Sequence, residues 1–128
     1  MIQEAYVSFE TAKLLKEKGF DENTLMVYMS YGDLCKCNRY DSIRNSNYND
    51  ITKNYFECTA PSHQMAMKWL REVHNIDICV FPYQADYISY SYKVKIYKNK
   101  EIYLTITDSK TYEDAVEEAL KYCLDNLI

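Results

Sequence analysis

Three of the five cysteines and one of the two histidines in this 128-residue chain fall within residues 32–63, GDLCKCNRYDSIRNSNYNDITKNYFECTAPSH, an otherwise polar run. Thiols and imidazoles bind zinc, exchange disulfides or act as nucleophile and base, so this run is the first place to look for chemistry. Structural zinc takes two short-spaced knuckles, because a tight turn must aim both ligands of each pair at one ion. Cys35 and Cys37 are instead separated by one residue, the spacing of neighbours on one strand face, and Cys58 with His63 would have to supply the other half. The sequence therefore predicts no metal ligands here, only thiols in an edge hairpin. A Cys35–Cys37 disulfide would need an unfavourable local geometry and an oxidising compartment. Cys58 and His63 could meet across a helix start, but no third member or oxyanion donor accompanies them. No catalytic residue and no cofactor is predicted. His63 and His74 would lie about 16 Å apart along a helix, too far to share an ion.

Other sites are excluded more simply. With two glycines the chain cannot build the Gly-rich loops that cradle nucleotide phosphates. The acid pairs Glu113-Asp114 and Glu117-Glu118 read as solvated charges on an exposed helix face. A net charge of −4 opposes the broad basic surface of non-specific nucleic-acid binding. The opening residues Met1 to Ala5 lack a signal-peptide pattern, and no apolar run approaches the ~18 residues of a membrane span. The sequence thus predicts a cytoplasmic protein with reduced thiols and no membrane contact. Its length fits a single domain over 1–128 that buries a core without staples.

The elements that must position any site follow from periodicity. Ser8 caps a helix over about 9–18, with Phe9, Ala12 and Leu15 on one face and Gly19 as the stop. Two short strands follow, around a two-residue turn at Gly32-Asp33. Residues 41–54 read as an exposed loop or insertion. Pro61 and Ser62 open a second helix whose stripe is Ala66, Trp69, Leu70 and Val73, ending at a left-handed Asn75. A short apolar strand, 76–82, is closed by Pro82. Residues 87–97 alternate, with Ile88, Tyr90, Tyr92, Val94 and Ile96 on one face and Tyr87, Lys93, Lys95 and Tyr97 on the other. A three-residue turn, Lys98 to Lys100, would then set Ile96 opposite Ile102 and Val94 opposite Leu104. Thr111 caps a last helix carrying Val116, Ala119, Leu120, Cys123, Leu124 and Leu127. The order α-β-β-α-β-β-β-α, with three helices on a mainly antiparallel sheet, predicts an α+β two-layer sandwich.

Tyrosine is the unusual residue, 14 of 128, and suits half-exposed strand faces. Tyr87, Lys93, Lys95, Tyr97 and Tyr103 would share one polar sheet face, with Lys98 and Lys100 at the turn. Such a face can take an acidic protein, a phosphate ligand or single-stranded nucleic acid. The competing reading is a solvated outer face in which lysines guard an edge strand.

Three segments, YVSFETAKLLKEKGFDE at 6–22, APSHQMAMKWLREVHNIDI at 60–78 and YEDAVEEALKYCLDNLI at 112–128, together resemble a group of small uncharacterised proteins encoded by phages, prophages and mobile elements of anaerobic gut bacteria. The resemblance covers the three helices and a strand, a little under half the chain. It implies a phage-related setting in the host cytoplasm and carries no activity or site residues. The expectation is a non-enzymatic protein that binds a protein partner, with a second copy of itself among the candidates; nucleic acid ranks below that.

Overall fold

The computed structural model describes residues 1–37, 42–46, 56–84, 86–87 and 89–128. Among the described residues it has three helices and six strands: α1 (Phe9–Glu17), β1 (Met26–Met29), β2 (Leu34–Lys36), β3 (Phe56–Thr59), α2 (His63–His74), β4 (Ile76–Gln84), β5 (Tyr90–Lys98), β6 (Glu101–Ser109) and α3 (Tyr112–Asn126). The α+β class and the expected order hold, with β3 added between β2 and α2. The strands form two antiparallel sheets of three, ordered β2-β1-β3 and β4-β5-β6. The chain divides into two compact units, Met1–Ser62 and His63–Ile128. No helix among the described residues is long and apolar enough to cross a membrane.

In the first unit, Ser8 caps α1 by accepting the Thr11 N–H at 3.2 Å, and Ala12 and Leu15 are buried on its inner face. Gly19, at φ 96°, ends the helix as its missing Cβ allows. The β1–β2 turn is longer than expected. The Gly32 N–H donates to Met29 O at 2.8 Å and the Met29 N–H to Asp33 O at 2.9 Å, closing a three-residue loop, Ser30 to Gly32. Gly32, at φ 91°, takes the left-handed position that such a loop requires, so it ends the turn rather than centring it.

The expected exposed loop at 41–54 is corrected where it is described. Ile43 is 1 % exposed and exchanges two 2.8 Å backbone hydrogen bonds with Thr24. Buried Asn45 donates to Phe20 O at 2.7 Å and accepts the Thr59 N–H at 2.9 Å. One apolar side chain and one amide with matched partners are enough to seat a polar run. Residues 41 and 47–54 of that loop lie outside the described residues.

In the second unit, α2 and α3 cover one face of β4-β5-β6. Val94 and Ile96 of β5 are fully buried beneath them, together with Ala66 and Leu70 of α2 and Val116, Ala119, Leu120, Cys123 and Leu124 of α3. Asn75, at φ 55°, ends α2 as expected. Val73, expected on the buried stripe, is 57 % exposed; Met67 is buried instead, and the His74 ring meets Trp69 edge-on. Pro82 does not close β4. It lies inside the strand opposite Tyr92, which an edge strand tolerates because a missing N–H on the outer side breaks no ladder bond.

The β5–β6 turn is shorter than expected. Asn99 and Lys100 both have positive φ, 54° and 69°, and Lys98 pairs with Glu101 across a two-residue turn. This sets Ile102 opposite Tyr97, on the lysine face, where it is 61 % exposed. A register shift then brings Leu104 opposite Ile96 and Ile106 opposite Val94. The hydrophobic faces are matched by a bulge at Tyr103 rather than by turn length.

Candidate functional site

The thiol-bearing stretch that raised the question of metal or nucleophile is packing. Cys35 and Cys37 rest against the Val27–Ile43–Phe56 cluster on one face of the first sheet. Cys58 pairs with Tyr28, whose ring meets Phe9 of α1, and is fully buried. Burial pushes its thiol up to about 12 despite the nearby Lys16 ammonium, so near neutrality it is protonated and a poor nucleophile. In the second unit, buried His63 opens α2 and its Nε2 lies 2.9 Å from Glu117 Oε1 of α3. Glu118 accepts from Ser109 Oγ at 3.1 Å. Both glutamates, expected as free solvated charges, thus tie α3 to its neighbours. Among the described residues no three His, Cys, Asp or Glu side chains are gathered to hold a metal ion.

The sheet face predicted to bind is open. On the side of β4-β5-β6 away from the helices, Asp77, Cys79, Phe81 and Tyr83 of β4 stand opposite Tyr97, Lys95, Lys93 and Ser91 of β5. Cys79 is exposed and the others are half-buried. The two lysines lie on the middle strand, not an edge. Protection of an edge strand therefore does not account for them.

Their geometry is specific. Lys93 pairs with Phe81, yet its Nζ sits 4.7 Å from the Tyr83 ring centroid; Lys95 pairs with Cys79, yet its Nζ sits 5.6 Å from the Phe81 centroid. Both side chains lean one diagonal step along β4 and lay an ammonium over an aromatic face, each contact worth about 0.5–1 kcal/mol at an exposed site. The result is two positive charges in fixed positions, about 7 Å apart along the strand, on a floor of rings.

Three of the five residues expected on this face are there: Lys93, Lys95 and Tyr97. Tyr103 is not. As the bulged residue it turns toward α3, with its ring centroid 6.5 Å from that of Tyr122. Tyr87 is not on a strand, since β5 starts at Tyr90; it is 99 % exposed and lines a shallow hollow with Gln84 and Asp86. Ile88 lies outside the described residues. Lys98 points to the helix side and donates to Leu127 O at the end of α3, at 3.2 Å, while Lys100 pairs with Asp77 Oδ2 at 3.2 Å. Sequence reasoning missed Phe81, Tyr83 and Cys79, whose strand reads as an apolar core run. Its pairing with a Lys-bearing strand is what puts half of it outside.

Compared with known proteins, the chain matches no family model, and no curated protein or solved structure is significantly similar to it.

Proposed function

We propose that the protein is a non-enzymatic binding module that takes a protein partner on the open face of β4-β5-β6. The observation that carries this is the pair of ammoniums held over Tyr83 and Phe81 on a central strand, where they cover no edge and are not required by the core. A charged pair placed over rings lowers the ordering cost of an incoming anionic group, because the lysines are already positioned. The setting proposed with it is a phage- or prophage-related one in a host cytoplasm; five cysteines outside any disulfide suit a reducing compartment. The second reading is a single-stranded nucleic-acid module, favoured by the coincidence of aromatic and basic side chains on one face.

Retention of host proteins on the immobilised chain separates the two readings when compared with the double variant Lys93→Glu/Lys95→Glu. A protein partner is retained after nuclease treatment and lost from the variant. Retention abolished by nuclease would support the second reading. Equal retention by both proteins would overturn the placement on this face.

A further inference from the structure

We infer that the occupant of the open sheet face is an acidic segment of another protein, presenting carboxylates to Lys93 and Lys95 with apolar side chains between them; this rests on the binding reading above. The first ground is that the rings are already capped. A nucleobase stacks on a bare aromatic face, and here each ammonium lies over Tyr83 or Phe81 and would have to be displaced first. What the face offers outward is charge, with apolar floor around it, and the complement of that is a carboxylate flanked by apolar groups. The chain's net charge of −4 repels a polyphosphate backbone at long range, whereas a short acidic segment meets mainly the local field of the two lysines.

The second ground excludes a second copy of this chain. A two-fold contact between two such faces sets lysine pairs from both copies against one another, which like-charge repulsion disfavours. The acidic side of α3 cannot supply the missing carboxylates in a closed dimer. It lies behind the sheet, so stacking it on another copy's open face gives a head-to-tail contact rather than a two-fold dimer. The third ground excludes strand addition. The β4 edge holds Pro82, which has no N–H to donate, and the β6 edge is broken by two register shifts. The sheet is guarded at both edges and open on its face.

Cys79 supplies a reporter, because it is exposed on this face opposite Lys95. The test is the rate of maleimide labelling at Cys79, read by peptide mass spectrometry on the full chain. The probes are a synthetic peptide alternating glutamate with leucine, its lysine counterpart, and oligothymidylate. At ten times its Kd the acidic peptide should slow labelling about tenfold, the lysine peptide should leave it unchanged, and Lys93→Glu/Lys95→Glu should abolish the protection. Protection by oligothymidylate without protection by the acidic peptide overturns the acidic-segment inference but leaves a binding face. A labelling rate that falls with the protein's own concentration overturns it in favour of self-association. Protection by none of these overturns both the inference and the binding reading.

Discussion

The two sheets of this molecule use chemically interesting residues in opposite ways. In β2-β1-β3 both faces are occupied: α1 lies against Tyr28 and Cys58 on one, and Ile43 against Val27 and Phe56 on the other. The thiols that suggested zinc or a nucleophile are consumed by packing there. In β4-β5-β6 the helices take one face and leave the other with Lys93, Lys95, Tyr97, Phe81 and Tyr83 available to solvent. Residue type alone does not mark a site. A reactive group enclosed on all sides has only its packing to do, whereas a charge held in place on an uncovered face can do something more.

The sharpest way to break this comparison is thiol chemistry. With their thiols pushed up to about 12 by burial, Cys58 and Cys123 should react with a disulfide reagent at pH 8 on the order of a thousandfold more slowly than an exposed thiol, and Cys79 should react promptly. Stopped-flow labelling with assignment by mass spectrometry checks it; prompt reaction of Cys58 would mean that the first sheet is not closed. Next in size is the covered face of the second sheet. Ile96→Ala, at a fully buried position, should destabilise by about 2–5 kcal/mol in urea unfolding.

A smaller effect tests the turn. Lys100 holds φ 69°, which glycine adopts without strain, so Lys100→Gly should stabilise by about 0.5–1 kcal/mol. The lost pair with Asp77 subtracts little, because the lysine is largely exposed. If the variant loses stability instead, the two-residue turn is wrong. The smallest effect concerns pH. Desolvation, with a contribution from Lys98, holds the His74 imidazole below its ordinary value. The unfolded chain therefore binds this proton more readily, and the His74 contribution, fully present above pH 6.5, is lost as pH falls through the depressed folded value. His74→Gln should flatten that part of the stability profile between pH 7 and pH 5.

The helices were legible in the sequence because their signals are local: Ser8 and Thr111 cap as their types suggest, and Asn75 and Gly19 stop helices in the left-handed region. The two hairpin turns were read with their lengths exchanged. Gly32 looks like the middle of a short turn until its hydrogen bonds show it at the end of a longer one. At Asn99-Lys100 the alternation of Ile102 and Leu104 argues for a longer turn, and only a bulge, which leaves no mark in composition, reconciles the pattern with a short one. Ile43 and Asn45 were hidden for a related reason: one apolar side chain and one amide among polar neighbours carry no period, and their burial depends on Thr24, Phe20 and Thr59, which are distant in sequence. Of the candidate site, Lys93, Lys95 and Tyr97 were visible in one strand's alternation. Phe81 and Tyr83 were not, since their face is set by the neighbour they pair with.

The most direct test of the open face is to compare Lys93→Glu/Lys95→Glu with the unchanged protein in one experiment, following urea unfolding by circular dichroism and acidic-peptide binding on the same samples. Loss of the two ammonium–ring contacts should cost no more than about 1–2 kcal/mol and leave the chain folded, while the peptide affinity disappears. A loss of the folded state would mean that the lysines serve the fold. Binding retained at full strength would contradict the placement of the partner on this face.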